Sequence, residues 1–180
     1  MAIEPQNNSD ETTHSDAQAV DTAWRVHSAL LTWTSSVDQK ASFVLAIDGA
    51  FLGIAAAVVS QDGRLAPSGP ISVLLLSLSV ALAVVAGGYS LAAIKPNLKT
   101  IVDSRIDSGH FIYFGHLKMM DAMRIRSALT REDILGALTN QLKEMSEICW
   151  NKHRRVQRAI ECLRWAALGA CFYVGVTLLL

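Results

Sequence analysis

The chain alternates between polar segments and three long apolar runs. The runs are residues 41–60, 71–94 and 163–180, and each has about the length that an α-helix needs to cross a bilayer. Between the first two lies QDGRLAPSGP, whose Gly and Pro residues are typical of a turn. Pro70 suits the first turn of a helix, and Pro96 follows the end of the second run. The pattern predicts three transmembrane helices, of which the first two form a hairpin.

The segment before the first run has helical periodicity. Between residues 16 and 40, apolar side chains recur at alternating steps of four and three, namely Ala19, Ala23, Val26, Leu30, Trp33 and Val37. We therefore predict an amphipathic helix over 16–40 with Asp16 as its N-cap. Its apolar stripe would lie on the lipid surface, on another subunit or on the cytosolic helices. Residues 1–15 are acidic and polar, and we expect a disordered tail there.

A second periodic segment leads into the third apolar run. Its members follow heptad spacing: Leu138, Leu142, Met145, Cys149, Lys152, Val156, Ala159 and Leu163. The spacing predicts a long helix with a coiled-coil-like seam, capped by Thr130 and continuous with the last span. Lys152 lies on that seam, where a buried amine needs a partner.

The stretch between the second run and this helix is less regular. Residues 97–110 are polar and predicted to be irregular, whereas 117–129 have helical spacing. The aromatic run FIYFGHL (111–117) is too short to assign to a helix or a strand.

The basic residues fix the topology that we expect. Twelve of the sixteen Lys and Arg residues lie between Lys95 and Arg158. Membrane proteins keep Lys and Arg in cytoplasmic loops, so 95–162 should be cytosolic and the N-terminus cytoplasmic. The predicted fold class is an all-α membrane protein: three transmembrane helices, an N-terminal amphipathic helix, and a helical cytosolic region continuous with the last span.

Composition and motifs exclude several kinds of chemistry. The chain is 51% apolar and only 18% charged, as expected for a membrane protein. It has no metal-ligand spacing, glycine-rich phosphate loop or nucleophile elbow. We therefore expect no catalysis, no metal and no cofactor. The net charge of zero argues neither for nor against nucleic acid, and we expect no nucleic-acid partner.

One acidic residue interrupts the first span. Asp48 should face protein or water, because a carboxylate inside the bilayer costs about 2.5–3.5 kcal/mol. It is either a pore-lining or gating group in an oligomer, or a protonated or hydrogen-bonded packing residue. Gly49 and Gly53 follow it at GxxxG spacing, which allows close helix contact and favours self-association.

A basic cluster precedes the third span. It consists of Lys152, His153, Arg154, Arg155 and Arg158. Such a cluster commonly sets topology and contacts anionic lipid headgroups. The alternative is an anion site, because the guanidinium fork of arginine matches phosphate oxygens.

The order of the motifs resembles a known family. VDQKA (37–41) precedes a span with DGAFLG, then a second span that ends at a proline, then FIYFGHL, and finally LTNQLKEMSEICWNKHRRV. This order is similar to that of the membrane effectors of Pycsar, the bacterial anti-phage systems that signal with cyclic pyrimidine nucleotides. The residues that carry the resemblance, which covers about 20–180, are Asp38, Lys40, Ala41, Tyr113, Phe114, Gly115, Gln141 and Lys152. Asp48 departs from it, because a neutral residue is expected there.

The resemblance implies a function. A partner cyclase would make cyclic UMP or cyclic CMP on infection, the cytosolic region would sense it, and the spans would then impair the inner membrane and cause abortive infection. For the ligand, Tyr113 and Phe114 could stack on a base, and Arg154, Arg155 or Arg158 could hold the phosphate. Alternatively, the two aromatic residues pack between the cytosolic helices.

Two other functions stay open at this point. One is a nucleotide-independent membrane scaffold whose heptads bind a protein partner. The other is a small pore-forming toxin with a protein trigger. We expect a multi-pass membrane protein that forms a homo-oligomer, and the resemblance implies that its membrane is the bacterial inner membrane.

Overall fold

The computed structural model describes residues 8–60, 67, 69–96, 112–131 and 133–179, and throughout these ranges the only regular structure is α-helix. The helices are α1 (Asn8–Ser60), α2 (Pro70–Ile94), α3 (Phe114–Leu117), α4 (Ala122–Arg131) and α5 (Ile134–Leu179). Three of them are long and apolar enough to cross a membrane, namely α1, α2 and α5. The predicted all-α membrane fold with three spans is confirmed.

The predicted amphipathic helix and the first span form one helix. α1 begins at Asn8, so Asp16 lies within it and is not its N-cap. No proline occurs between Asn8 and Ser60, and the first glycine is Gly49, so the sequence contains no signal that would stop the helix earlier. Its first eight residues, 8–15, fall in the segment predicted to be a disordered tail.

The chain divides into two compact units. The first comprises Met1–Trp33 and Asn97–Ile148, and the second comprises Thr34–Pro96 and Cys149–Leu180. Both α1 and α5 contribute residues to each unit.

In the first unit, the polar stretch 97–110 and Phe111 lie outside the described residues. The next part of the aromatic run forms the one-turn helix α3. Asp121 then caps α4, because its Oδ1 accepts a hydrogen bond of 2.7 Å from the backbone N–H of Arg124. A small core forms where Ala128 and Ala137 are buried against Ile112, Met120 and Ile134.

The predicted N-cap of the long helix is wrong. Thr130 lies inside α4, where its hydroxyl donates to the carbonyl of Arg126 at 2.9 Å. α5 starts later, at Ile134, and the carbonyl of Asp133 accepts the first bond of the helix from the N–H of Ala137 at 3.1 Å. Asp133, not Thr130, therefore occupies the N-cap position immediately before the helix.

In the second unit, parts of α1, α2 and α5 pack together as a three-helix membrane bundle. At one end Val37 and Ala41 of α1 contact Ala93 of α2 and Val156 of α5. Towards the other end, a second cluster joins all three helices through Ala55, Leu76 and Tyr173. The inner face of α2 carries mainly small residues: Ser72, Leu76, Ser79, Ala83, Ala86, Gly87, Ser90 and Ala93. Small side chains let helix backbones approach closely, which is how helices pack in lipid.

The heptad seam of α5 is confirmed. Leu138, Cys149, Lys152, Val156 and Ala159 are buried, and the remaining members are half-buried. The same seven-residue repeat continues into the span, where Ala166 and Tyr173 are buried. The seam that the sequence predicts for the cytosolic part therefore also forms the inner face of the third span.

Candidate functional site

A partly buried ion pair joins two of the bundle helices. Nζ of Lys152 on α5 donates to both carboxylate oxygens of Asp38 on α1, at 2.6 and 2.7 Å. The Lys152 side chain is 11% exposed and that of Asp38 36% exposed. The pair gives the seam lysine the partner that its position demands, because a buried ammonium without one is costly.

Apolar contacts surround this pair. Val37 and Val156, next to Asp38 and one turn beyond Lys152, belong to the same cluster as Ala41 and Ala93. The cluster shields the Lys152 side of the pair, whose side chain is mostly buried, whereas the Asp38 carboxylate keeps partial contact with solvent. The pair therefore holds α1 against α5 in one register.

Two arginines of α5 contact the end of α2. Nη1 of Arg155 donates to the backbone carbonyl of Ala92 at 2.6 Å. This carbonyl belongs to the last turn of α2, where carbonyls lack partners within the helix and the dipole favours a cation. The guanidinium of Arg158 lies 5.9 Å from the ring centroid of Tyr89, at cation–π distance. Arg155 and Arg158 thus attach α2 to α5.

Together these contacts form a polar clamp: Asp38, Tyr89, Ala92, Lys152, Arg155 and Arg158. The clamp ties all three bundle helices together at one end of the bundle. Two other predicted residues of this region, Lys40 and Arg154, are exposed. The sequence indicated the cations but not their partners on α2, since a backbone carbonyl and a tyrosine ring carry no charge signal.

Asp48 lies inside the bundle. It is 2% exposed, and its Oδ1 has no hydrogen-bond partner among the described residues. Its Oδ2 lies 2.6 Å from where a Cβ on Gly87 of α2 would be. The carboxyl group therefore fits against α2 only because position 87 is glycine, a residue that sequence reasoning did not single out.

The predicted glycine pair faces the other way. Gly49 and Gly53 are exposed, and a Cβ on either would meet nothing within 4 Å. The GxxxG spacing therefore does not mediate packing within the bundle. Asp48 and the glycines lie on different faces of α1.

The aromatic run belongs to the first unit. Tyr113 is half-buried, and its ring meets the edge of the His116 ring at a centroid distance of 5.5 Å. Gly115 is half-buried in α3 and Gln141 is half-buried in α5. The side chain of Phe114 lies outside what the structure describes. The residues predicted to bind a ligand are thus divided between the two units.

Comparison with known proteins identifies the family. A family model described as the Pycsar effector protein domain matches residues 22–180, which is most of the chain. No curated protein and no solved structure gives a significant match. The match agrees with the order of motifs along the sequence and with the three helices that could span a membrane. The chain belongs to the Pycsar effector family, a family of membrane effectors in anti-phage signalling.

Proposed function

We propose that this chain is activated by a cyclic pyrimidine nucleotide, cyclic UMP or cyclic CMP, made by a partner cyclase during phage infection. The activated protein impairs the integrity of the bacterial inner membrane and causes abortive infection. It acts without catalysing a reaction, as a multi-pass protein with a cytoplasmic N-terminus.

The observation that carries this proposal is the continuity of α5. The helix runs without a break from Ile134 to Leu179, so a single continuous helix contains both the heptads and the third span. This continuity supports coupling between the heptads, which we propose to be cytosolic, and the span. A helix that was interrupted at the membrane boundary would lose this coupling.

Activation must break contacts of the polar clamp. A ligand drives a conformational change only by binding one arrangement better than the other. In the resting arrangement, Arg155 and Arg158 are engaged with the Ala92 carbonyl and the Tyr89 ring. A nucleotide phosphate that binds these arginines would replace both contacts, because guanidinium–phosphate bonds are charge-assisted. α2 would then be released from α5.

The base has a separate place in this proposal. Tyr113 and Phe114, which the resemblance suggests for base stacking, belong to the first unit, whereas the arginines belong to the second, so the clamp proposal rests on the arginines alone. Arg154 is the exposed arginine of the basic cluster. Packing of the aromatic residues in the first unit is the competing interpretation, supported by the contact between Tyr113 and His116.

We also propose that the protein self-associates through α1. The exposed face of the first span presents small residues at steps of four and three: Ser42, Ala46, Gly49, Gly53, Ala56 and Ser60. A second copy could approach the helix backbone closely along this face. This face of small side chains would pack poorly against lipid, because acyl chains would have to fill the groove that it leaves.

The test uses the full chain in dye-loaded vesicles. We expect cyclic UMP or cyclic CMP to bind, as measured by calorimetry, and to release the dye, whereas cyclic AMP and cyclic GMP at equal concentration should do neither. Absence of binding would contradict the proposal. Dye release that ignores the nucleotide would instead favour a pore-forming toxin, and binding without release would favour a scaffold.

A matched pair of variants tests the clamp. Arg155→Gln removes the cation that contacts α2, and Arg154→Gln removes its exposed neighbour. If release of α2 opens the bundle, Arg155→Gln should leak without nucleotide, whereas Arg154→Gln should stay closed. Equal basal leakage of the two variants would show that the contact with Ala92 does not hold the bundle closed.

A further inference from the structure

Asp48 occupies an unusual place for an acid. It lies within the apolar run 41–60, it is 2% exposed, and its Oδ1 is buried without a hydrogen-bond partner in the described part of the chain. A carboxylate is an acceptor of several hydrogen bonds and is stable in lipid only when they are made. The surroundings of Asp48 therefore destabilise the ionised carboxylate relative to the neutral acid.

The carboxyl group is held against a helix backbone, away from water. Its Oδ2 fills the space above Gly87, and Cδ1 of Leu45 lies 3.9 Å from the same Cβ position. Ser90, one turn further along α2, is fully buried, and its Oγ is the other buried side-chain atom without a partner among the described residues. The buried hydroxyls of Ser79 and Thr177, by contrast, donate to carbonyls of their own helices: Ser79 to Leu75 at 2.8 Å and Thr177 to Tyr173 at 2.9 Å.

The charged and titratable groups of the bundle helices do not supply a counter-ion. Within the bundle, α1 carries Asp38 and Lys40 besides Asp48. The other groups of the bundle are Tyr89 on α2, Lys95 at the C-cap of α2, and Cys149, Lys152, His153, Arg154, Arg155, Arg158, Glu161, Cys162, Arg164, Cys171 and Tyr173 on α5. Lys152 bonds to Asp38, and Arg155 bonds to the carbonyl of Ala92. The guanidinium groups of Arg158 and Arg164 lie over aromatic rings, and Lys40, Lys95, His153 and Arg154 are exposed.

We propose that Asp48 is a proton-binding site: in the resting bundle it is a neutral carboxylic acid. A proton removes the charge, and the neutral acid then needs one acceptor for its O–H group in place of the several donors that a carboxylate requires. A metal cation would need about six oxygen ligands, and the helix carbonyls around Asp48 are already hydrogen-bonded within their helices. The ligand of this site is therefore a proton taken from water.

Infrared spectroscopy of the resting protein in vesicles tests this directly. The C=O stretching band of a carboxylic acid is well separated from the bands of a carboxylate. At neutral pH we expect the acid band in the wild type, its loss in Asp48→Asn, and its retention in Asp21→Asn, because Asp21 is exposed and paired with Arg25. No acid band in the wild type, or a band that persists in Asp48→Asn, would overturn the proposal.

A second readout separates a proton from a metal cation. A hydrophobic carbodiimide reacts with protonated carboxyl groups inside membranes and leaves an adduct that mass spectrometry locates. We expect the adduct on Asp48 at the same yield in sodium and in choline buffer. Protection by sodium ions would overturn the proposal in favour of a cation site.

Protonation of Asp48 should also make opening of the membrane bundle depend on pH. This inference rests on the proposed function. If the opened bundle admits water, Asp48 ionises there and gives its proton to the solvent. The closed state then binds one more proton than the open state, so its extra stability is present at low pH and lost as pH rises. Linkage of one proton changes the closed-to-open ratio by up to about tenfold per pH unit.

Nucleotide-triggered dye release measures this linkage. In the wild type, the nucleotide concentration for half-release should fall as pH rises, and in Asp48→Asn this dependence should disappear. A wild type and a variant with the same pH dependence would overturn the linkage. Failure of the proposed function would appear differently, as no nucleotide response at any pH, whereas the infrared result on the resting protein needs no nucleotide.

Discussion

Gly87 and Gly169 face the inside of the membrane bundle, whereas Gly49 and Gly53 face away from it. A Cβ on Gly87 would collide with the Asp48 carboxyl group, and one on Gly169 would collide with the Ser79 hydroxyl. A Cβ on Gly49 or Gly53 would meet nothing. At Gly87 and Gly169 the inner face of the bundle has no room for a further methyl group, whereas the outer face of α1 has room at Gly49 and Gly53. Glycine in one apolar helix allows close packing inside the bundle, and glycine in another lies on an exposed face. The sequence does not distinguish these two roles, but the contacts do.

The largest expected difference between inner and outer positions concerns two acids of α1. Asp38→Ala leaves the buried ammonium of Lys152 without its partner, whereas Asp21→Ala breaks an exposed pair with Arg25. We expect Asp38→Ala to lower the free energy of unfolding in detergent by about 2–4 kcal/mol, somewhat less than a fully buried pair because Asp38 is partly exposed. Asp21→Ala should cost less than about 1 kcal/mol.

A double variant sharpens this prediction. Asp38→Ala with Lys152→Met removes both charges, and apolar replacement of a buried pair is often neutral. Its thermal midpoint should therefore recover most of the loss seen in Asp38→Ala. A double variant that is as unstable as Asp38→Ala would mean that packing at position 38, rather than the unpaired ammonium, causes the loss.

The next effect comes from neighbouring glycines of α2. Gly87→Ala places a methyl group against Oδ2 of Asp48, so the helices must separate or the carboxyl group must move. Overpacking of this kind costs about 1–3 kcal/mol. Gly88→Ala has open space and should gain up to about 1 kcal/mol from helix propensity. Both are measured as thermal midpoints in detergent, and a Gly88→Ala that destabilises as much as Gly87→Ala would refute the assignment of the inner face.

A smaller effect is expected where α5 crosses α2. Gly169→Ala meets the hydroxyl of Ser79, a short side chain that can rotate away from the carbonyl of Leu75. The expected loss is about 1–2 kcal/mol, and the double variant with Ser79→Ala should restore it. Gly175→Ala is the matched control on α5, because a Cβ there meets nothing. Chemical unfolding of the wild type, the two single variants and the double variant measures these differences. If the double variant does not recover stability, contact with the Ser79 hydroxyl is not the cause of the loss.

Hydropathy and periodicity predicted most of the fold because they depend on local spacing. The second span, the end of the first at Ser60 and the heptads of α5 follow from composition over long windows. The start of α5 did not follow, because Thr130 and Asp133 are both residue types that favour an N-cap, and local sequence does not choose between them.

The candidate site was predicted only in part. Lys152 on an apolar seam signalled a partner, but the sequence offered several acids and gave no means of choosing Asp38 over the others except the resemblance to a family. Gly87 and the Ala92 carbonyl carried no signal, because one has no side chain and the other is backbone. Helix pairing depends on contacts between distant residues, which periodicity alone does not encode.

The smallest expected effect on folding tests the open face of α1. Gly49→Leu and Gly53→Leu should change the unfolding free energy of the protomer by less than about 1 kcal/mol, because their side chains enter open space. If a second copy packs there, however, both variants should weaken self-association by about tenfold, which corresponds to about 1.4 kcal/mol. Energy transfer between labelled chains in vesicles measures this, with Gly88→Leu as the control on another exposed face. Association that survives both α1 variants would assign the face to lipid, and the contrast between inner and outer glycines would then reflect packing within one chain alone.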